Sequence, residues 1–435
     1  MKLPRLVFLA LFLFPLPALA ETEVFSLGGA VEAALERNFQ VASARAGRQA
    51  AAAGTNASRS AFGPVFRTSY GLERRQRDLS PLGAAQDRDM ASWTVSLTQN
   101  VFAGFADLSA LQRAALAEES AEAGIAKARI DLANLVQEHF FSYLRAKQEV
   151  ISARDSLERL RSQLASSRAF HAVGVSPRLD VLQAEVDVST AESALLVAEN
   201  SLETEKARLN TLLVLPGGAE VDYVGDFVFT PFTLTLEECL ERAWRHRPDL
   251  LMAEKAVAIA GMDERLARSA FFPRIDAQAA WSTYGDEWSA SGSLTRPVRF
   301  SEWSVGVFAE WTFFEWGRTW FLTQQARHTR AKVRAEADNL RQEILFAVRE
   351  RILALREAAQ RIRVAGKAVE QATEAYRMAD ARYRSHVGTM TDVLDAQSKL
   401  SSAEASLAGA KADYSIALSR ICSAMGQINA TLSAL

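Results

Sequence analysis

Two aspartates, Asp392 and Asp395, are the clearest candidates for chemistry in this chain of 435 residues. Residues three apart lie on one face of an α-helix, so the two carboxylates would project together. Carboxylates that surround a narrow passage attract cations and can bind divalent or trivalent ions. An aspartate near the start of a helix can equally be a capping residue, which stabilises the helix terminus and has no binding role. The sequence leaves both interpretations open.

The sequence carries none of the common motifs for catalysis or for a bound cofactor. Its histidines are scattered, and the spacings His-x-x-x-His and Cys-x-x-Cys, which are typical of metal sites, do not occur. The two cysteines, Cys239 and Cys422, lie far apart and give no indication of a disulfide framework. The formal net charge of −2 gives no indication of a nucleic-acid partner. We therefore expect a protein that is not an enzyme and that needs no metal, no cofactor and no nucleic acid.

Residues 1–20 have the composition of a signal peptide. A charged start precedes an apolar stretch, and Ala18 and Ala20 supply the small residues of a cleavage site. Residue 21 is a glutamate and not the cysteine that carries a bacterial lipid anchor. No later run of eighteen or more apolar residues is present, so we expect no transmembrane helix in the exported chain.

The remaining chain is a tandem repeat, with a first half at 21–220 and a second half at 221–435. Residues 59–64 fall on residues 268–273 at an offset of 209, and the later parts of the halves align at an offset of 212. Self-similarity at a fixed offset indicates a duplicated structural unit. In both halves the predicted order is one Ala-rich helix, a region with two strands, and a very long helical segment.

Two runs in each half alternate between apolar and polar residues, which predicts β-strands within about residues 65–101 and 274–312. Each run has about ten residues, the length of a tilted membrane-spanning strand. Aromatic residues lie toward the ends of the apolar face, where we expect them at the membrane interfaces. These interface candidates are Tyr70, Trp93, Trp281, Trp303 and Trp311. A soluble sheet with one wet face is the alternative, although four strands are too few for a sandwich.

Four strands cannot close into a barrel by themselves, and an open sheet edge in lipid would leave backbone groups unpaired. Small barrels need about eight strands. We therefore expect several copies of the chain to share one transmembrane β-barrel. Strand number alone allows a dimer with eight strands or a trimer with twelve.

The long segments, about residues 105–213 and 317–425, have the seven-residue apolar spacing of coiled-coil helices. One break interrupts each segment, so each should fold as a hairpin of two helices. The residues that mark these breaks are Gly174, Pro177, His386 and Gly388. The arm before each break has about 65 residues and would be roughly 100 Å long. The two turns at the hairpin tips are the candidate contact points for a partner.

In this order, the features resemble those of the TolC-type outer membrane efflux and secretion channels, over nearly all of the exported chain. The motifs that carry the resemblance are Ala243-x-x-His246-x-Pro248-Asp249, Phe314-Glu315-Trp316-Gly317 and Asp392-Val393-Leu394-Asp395-Ala396-Gln397. The resemblance implies an α+β membrane protein in which coiled-coil helical hairpins form an α-barrel and four strands per subunit join a shared twelve-stranded β-barrel. It also implies a homotrimer in the lipid of the outer membrane with a long periplasmic extension.

The resemblance further implies the exit duct of a tripartite efflux pump or of a type I protein secretion system. Such a duct is a passive conduit, opened by contact with a periplasmic adaptor protein and an inner-membrane pump or ABC transporter. The residues do not indicate whether the cargo is a drug, a metal ion or a protein. A passive outer-membrane porin and a periplasmic adaptor or structural coiled-coil protein are the alternatives, but neither class combines duplicated strands with heptad helices.

For the closed tip of such ducts, the resemblance implies aspartate rings and polar links around a tyrosine. In this chain Asp392 and Asp395 match the paired aspartates, Tyr383 matches the tyrosine and Asp180 matches an acidic partner. Two positions depart from the pattern, because Gly388 stands where an arginine is found and Leu179 where a threonine is found. We therefore expect a cation-selective gate whose latch is looser or differently built.

Overall fold

The computed structural model describes residues 23–79, 84–216, 220–285, 287, 288, 290, 299–385 and 387–428. The candidate signal peptide and the tip residue His386 lie outside the described residues. The helices and strands of the described part are, in chain order, β1 (Glu23–Phe25), α1 (Leu27–Arg37), α2 (Phe39–Ser60), β2 (Val65–Leu79), β3 (Ala84–Ala103), α3 (Ala106–Ala172), α4 (Arg178–Leu212), β4 (Val221–Tyr223), α5 (Leu236–His246), α6 (Pro248–Ser269), β5 (Arg274–Gly285), β6 (Arg299–Glu310), α7 (Arg318–Arg384) and α8 (Met390–Ala424).

Each half opens with two short helices, whereas the sequence analysis predicted one. The breaks fall at Asn38, between α1 and α2, and at Arg247, between α5 and α6, where the backbone is extended. Asn38 caps α2, because its side-chain oxygen accepts a hydrogen bond from the amide of Gln40 at 2.8 Å. Arg247 precedes Pro248, which disfavours a helical backbone at Arg247 and suits the first position of α6.

Four strands form one antiparallel sheet in the order β2-β3-β5-β6, so the strand pairs of the two halves lie side by side. β2 and β3 have 15 and 20 residues and are longer than expected. Trp311, expected within the last strand, lies one residue beyond the end of β6 at Glu310. Within the described residues, β2 and β6 each pair on one side only, so both edges of the sheet are open.

The strand register places the apolar residues of the sheet on one face. Val95 of β3 lies opposite Trp281 of β5, which lies opposite Trp303 of β6. Because side chains alternate between the two faces of a strand, the polar residues between them share the other face. On that face the hydroxyl groups of Thr94 and Ser282 lie 2.9 Å apart. The sheet therefore has one apolar and one polar surface.

The helices α3 and α7 have 67 residues each and are about 100 Å long by the rise of an α-helix. Each turns back into a partner of 35 residues, α4 or α8, and packs along it. The two hairpins join through α3 and α8, whereas near the sheet α3 packs against α2 and α6, and α6 against α7. None of the described helices combines the length and apolar character that crossing a membrane requires.

Four of the shorter helices meet end to end in two pairs, α4 with α2 and α8 with α6. α4 ends at Leu212, whose carbonyl accepts a hydrogen bond from Asn38 Nδ2 at 2.9 Å, just before α2. α8 ends at Ala424, whose carbonyl accepts a hydrogen bond from Arg247 Nη1 at 3.2 Å, just before α6. The pairs α4 with α2 and α8 with α6 therefore each continue one line of helix alongside α3 and α7.

The main hydrophobic core lies around these junctions. The strands β1 and β4 pair in parallel there, and both were missed in the sequence because three residues are too few to show a period. Tyr223 of β4 is fully buried, and its ring contacts those of Phe25, Phe140 and Tyr143. Burying a side chain of this size stabilises the fold by roughly 1.5–3 kcal/mol.

The turns from strand to long helix use two consecutive residues with left-handed backbone in each half. These are Gly104 and Phe105 before α3, and Trp316 and Gly317 before α7. At Gly104, where φ is 61°, a Cβ atom would lie 2.4 Å from the carbonyl oxygen of Ser269. The close approach of this neighbouring chain segment therefore requires glycine at position 104, and the positive φ favours it.

Candidate gate at the hairpin tips

The candidate tip residues lie at the ends of the two helical hairpins, about 100 Å along α3 and α7 from the sheet. In the first hairpin, Gly174 has a φ of 76° and Pro177 occupies the N-cap position of α4. In the second hairpin, the amide of Gly388 donates a hydrogen bond to the carbonyl of Arg382 at 3.1 Å. A Cβ atom at Gly388 would approach the Cβ of Arg382 to 3.1 Å, so a glycine suits this turn.

Asp392 is part of a capping box at the start of α8. Its carboxylate accepts hydrogen bonds from the amide and the hydroxyl of Thr389, at 3.0 and 2.7 Å. Its own amide donates to the Thr389 hydroxyl at 3.2 Å. These hydrogen bonds lower the pKa of Asp392, so the carboxylate is ionised at neutral pH. Within one chain, the geometry gives Asp392 a capping role.

Asp395 is exposed, and its carboxylate accepts a hydrogen bond from Lys399 Nζ at 2.7 Å, one turn along α8. It lines a groove of about 450 Å³ between α4 and α8, together with Leu182, Val186 and Asp187. Burial raises the pKa of Asp187. An exposed ion pair within one helix contributes little to stability. The Asp395 carboxylate can therefore exchange Lys399 for another cation at small energetic cost.

Tyr383 and Asp180 are not linked to each other within one chain. Tyr383 is 7% exposed and packs against the ring of Phe170, with 5.7 Å between the ring centroids. Its hydroxyl is buried and finds no hydrogen-bond partner in the described part of the chain. Asp180 instead accepts a hydrogen bond from Ser176 Oγ at 2.6 Å. The leucine and glycine that depart from the family pattern supply no polar side chain to join them.

Contacts between α3 and α8 hold the two hairpins together near the tips. Met390, the first residue of α8, is 2% exposed, and its sulfur accepts a hydrogen bond from Gln163 Nε2 at 2.8 Å. Farther from the tip, Arg159 Nε donates to Gln397 Oε1 at 3.0 Å, and Arg159 Nη2 lies 3.5 Å from Glu404 Oε2. Sequence reasoning missed these residues, because a heptad pattern identifies apolar positions but not which helix supplies a polar partner.

Ion pairs lie both across the α3–α8 seam between the hairpins and within a hairpin, and the two sets use different residues. Across the seam, Arg420 of α8 donates two hydrogen bonds to Glu138 of α3, at 2.9 and 2.8 Å. Within the first hairpin, Arg161 of α3 pairs with Glu192 of α4 at 2.7 Å. The α3–α8 seam is therefore where one hairpin can separate from the other while each hairpin keeps its own contacts.

The predicted interface aromatics are all exposed in one chain, from 39% for Trp281 to 76% for Trp303. The rings of Trp93 and Trp281 meet edge to face with 6.1 Å between their centroids. The corner between β6 and α7 adds large exposed side chains that the interface prediction did not include, among them Phe313, Trp316, Trp320 and Phe321. Large apolar side chains exposed in this number indicate contact with lipid or with a partner.

Among the described residues, no group of His, Cys, Asp and Glu side chains is arranged to hold a metal ion. Cys239 and Cys422 are free thiols. Burial raises the pKa of Cys422 to about 11, so this thiol is protonated at neutral pH. The chemistry that the tips offer is therefore that of ionised carboxylates beside apolar grooves.

The sheet and the helical layer each end in two unlike edges. The sheet ends in β2 on one side and in β6 on the other. Toward the tips, the helices contact one another in the order α4-α3-α8-α7 and so end in α4 and α7. Both edge helices carry large exposed apolar side chains, including Val186 and Val197 on α4 and Phe346 and Leu353 on α7. Two unlike edges suit head-to-tail contact between copies, which closes a ring when the rotation fits.

Comparison with known proteins gives consistent matches along the chain. A family model described as outer membrane efflux protein matches residues 30–214 and 239–427. A probable efflux pump outer membrane protein of Pseudomonas putida, SepC, is 30% identical over 234 residues, which are 53% of this chain and 48% of SepC. The chain thus spans about half the length of that relative.

Two further matches concern a secretion protein and a solved channel. The alkaline protease secretion protein AprF of Pseudomonas aeruginosa is 27% identical over 362 residues, which cover 76% of this chain and 70% of AprF. The crystal structure of the Campylobacter jejuni CmeC outer membrane channel matches with a TM-score of 0.82 at 16% identity, over 92% of this chain and 85% of that chain. The last similarity shows a shared fold.

Proposed function

Because the chain belongs to the outer membrane efflux protein family, we propose that three copies form a passive exit duct of an efflux pump or a type I secretion system. The observation that carries this proposal is the pair of unlike open edges in each layer, β2 and β6 in the sheet and α4 and α7 among the helices. A single chain leaves these edges uncovered, whereas a closed ring of copies covers every one of them.

In the proposed ring, β6 of one copy pairs with β2 of the next, and α7 packs against the neighbouring α4. Three copies then supply twelve strands in one closed sheet. β5 and β6 have 12 residues each. Strands of that length reach about 40 Å, or about 30 Å across a bilayer at the usual tilt of about 40°. The apolar face of the sheet turns toward lipid, with the exposed tryptophans at its margins.

The proposed gate lies where the hairpin tips of the three copies converge. Asp392 and Asp395 would then contribute six carboxylates around one opening, which favours cations over anions. The α3–α8 seam around Met390 and Arg159 serves as the latch. In the proposed gate, Tyr383 and Asp180 contribute through contacts between copies, because they form no hydrogen bond with each other within one chain.

The turns around Gly174, Pro177 and Gly388 are the proposed contact points for a periplasmic adaptor and an inner-membrane pump or ABC transporter. The duct carries out no catalysis, and the partner supplies the energy. SepC is named for efflux and AprF for the secretion of a protease. The cargo class is therefore either a small solute or a protein.

Single-channel recording from the purified protein in a planar bilayer tests the proposal, together with the mass of the detergent-solubilised oligomer. We expect a mass of three subunits and small, cation-selective current steps that trivalent cations block from one side only. A mass of one subunit would overturn the shared ring. Large, unselective steps would identify a porin, and a well-folded oligomer without steps would exclude a duct.

A further inference from the structure

A polar pocket of about 530 Å³ lies where α8 and α6 meet end to end. Its walls are α3, the start of α6, α7 and the end of α8, which all belong to one chain. Arg420, which lines the pocket, is 28 residues along α8 from Asp392 (420 − 392). The pocket is therefore about 40 Å from the candidate gate, and it shares only the Arg420–Glu138 pair with the α3–α8 seam described above.

Three ion pairs line the pocket, and they account for all of its carboxylates. They are Lys127 with Asp131 at 2.5 Å, Arg420 with Glu138 at 2.8 Å, and Arg247 with Asp249 at 2.5 Å. Arg351 of α7 is a fourth cation in the lining, and in the described part of the chain it makes neither an ion pair nor a side-chain hydrogen bond. Four cations against three carboxylates leave one positive charge in excess.

The duplicated chain shows that this excess charge is not a requirement of packing. At the offset of 212, Arg351 corresponds to His139, and Ala417 corresponds to Glu205. In the first half, His139 Nδ1 lies 3.0 Å from Glu205 Oε2, so the ring has a carboxylate partner. In the second half, the carboxylate is replaced by Ala417, which lines the adjoining groove together with Arg351. The second half thus has a stronger cation at this position and lacks the carboxylate partner that the first half has.

The end-to-end contact of the helices does not need the charges either. Asn38 corresponds to Arg247 at the offset of 209, and it joins α4 to α2 with an uncharged amide group. A neutral side chain therefore suffices for this junction. The ionic lining at the junction of α8 with α6 exceeds what the stacking of two helices requires.

Two of the three carboxylates of the pocket, Glu138 and Asp249, have a lowered pKa, and each is held by its own cation. Burial would raise the pKa of Glu138, but hydrogen bonds from Arg420 and Asn134, the charge of Arg420 and, last, the charge of Arg351 outweigh it and lower the pKa. Burial likewise opposes ionisation of Asp249, whose pKa is nevertheless lowered by the hydrogen bonds and charge of Arg247 and by the charge of Lys127. Arg351 is near Glu138 but forms no ion pair with it, so an anion that enters the pocket would meet Arg351 without breaking a direct contact.

We propose that this pocket binds a small anionic group, a carboxylate or a phosphate, with Arg351 as its main contact and Lys127 and Arg420 beside it. Bound there, the anion joins α3, α7 and α8 at the level where the line of α8 and α6 is interrupted. The anion site rests on the proposed function in one respect only, which is that the part of the chain around the pocket belongs to the wall of the duct. The site requires no second copy of the chain.

Unfolding midpoints of the detergent-solubilised protein test the proposal, with inorganic phosphate and sodium acetate titrated separately at constant ionic strength. We expect a saturable rise of the midpoint with at least one of these anions. Arg351→Gln should weaken the apparent affinity about tenfold to a hundredfold, the effect of losing a hydrogen bond to a charged group. Ala417→Glu should do the same while keeping Arg351, because it restores the carboxylate that the first half has at this position.

Arg356→Gln is the matched control, because Arg356 is exposed on the same helix and lines neither the pocket nor the adjoining groove. This variant should respond to the anions as the unchanged protein does. Equal midpoint shifts in all four proteins, or no saturable shift with either anion, would overturn the site. Planar-bilayer recordings from the same preparations show separately whether the protein forms a channel, so failure of the duct and failure of the anion site can be distinguished.

Discussion

Asn38 and Arg247 occupy equivalent positions in the two halves, and each donates a side-chain hydrogen bond to the last carbonyl of the helix stacked against it. Asn38 reaches the carbonyl of Leu212 at 2.9 Å, and Arg247 reaches that of Ala424 at 3.2 Å. Helix ends leave backbone groups unpaired, and here two ends meet at one point. Asn38 also accepts a hydrogen bond from the amide of Gln40 and so caps the starting helix α2, whereas the side chain of Arg247 makes no cap hydrogen bond to α6.

Replacing Asn38 by alanine removes the hydrogen bond to the carbonyl of Leu212 and the one from the amide of Gln40. We expect Asn38→Ala to lower the free energy of unfolding by about 1–3 kcal/mol, because a helix cap is lost and a carbonyl near the core is left unpaired. Guanidinium unfolding followed by circular dichroism measures the change. Asn56→Ala, at an exposed position of the same helix, should stay within about 0.5 kcal/mol. Equal effects of the two variants would show that the junction does not depend on Asn38.

The turn before α3 should not tolerate a side chain at Gly104. In Gly104→Ala the new Cβ atom meets a backbone oxygen at a positive φ, and we expect a loss of about 2 kcal/mol or more. The yield of folded oligomer and its thermal midpoint are the measurements. Gly124→Ala places a Cβ atom in open space within α3, and we expect it to stabilise the helix by about 0.5–1 kcal/mol. A tolerated Gly104→Ala would contradict the turn geometry.

The sheet was predictable because a period of two is short and local. Once Trp281 and Trp303 are assigned to the apolar face, the alternation assigns their neighbours to one face or the other. The break at Arg247 was missed although Pro248, which follows it, is a signal for it, whereas Asn38 lies in an Ala-rich run without such a proline. The partner of Arg159 could not be predicted, because the register between two hairpins is set by tertiary packing and leaves no local pattern.

Arg159 should keep the two hairpins together near the tips. Arg159→Gln removes its charge from the contacts with Gln397 and Glu404 across the seam. We therefore expect the open state of the duct to become about tenfold more populated, since a hydrogen bond between charged groups contributes roughly 1.5 kcal/mol or more. The open probability in planar-bilayer recordings is the readout. Arg161→Gln, which breaks only the pair with Glu192 inside one hairpin, should leave the open probability unchanged. Identical currents from the two variants would reject the seam as a latch.

The double variant Asp392→Ala with Asp395→Ala should weaken cation selectivity and the block by trivalent cations. Thr389→Ala separates this effect from helix capping, because it disrupts the capping box while both carboxylates remain. We expect Thr389→Ala to reduce stability without changing the reversal potential under a salt gradient. If Thr389→Ala changed selectivity as much as the double variant, the loss of selectivity would follow from the disrupted capping box and not from the missing carboxylates.

The capping of α8 should also depend on pH. Hydrogen bonds from Thr389 lower the pKa of Asp392 in the folded chain below its ordinary value of 3.8. The stabilisation is therefore fully present above the ordinary pKa and is lost as the pH falls through the folded-state value. Unfolding midpoints measured from pH 6 down to about pH 2 should fall more steeply below pH 3.8 for the unchanged protein than for Asp392→Asn. Parallel curves would show that the capping box contributes nothing to acid sensitivity.

The capping box shows a signal that the sequence did contain. Thr389 and Asp392 have the spacing of a residue that starts a helix and an acidic residue three positions later. Sequence analysis considered capping for Asp392 without naming this partner. The role of Asp395 could not be read in the same way, since its ion pair with Lys399 is one of many such pairs on exposed helix faces.

The unlike edges of the sheet have a genetic consequence. A subunit whose β6 edge is damaged still presents an intact β2, so it can enter a ring that it then prevents from closing. In a cell that makes damaged and intact chains in equal amounts, a ring of three copies would contain intact chains alone in only about one case in eight. Mutations on one edge should therefore act dominantly over the unaltered gene, whereas truncations that destroy both edges should be recessive.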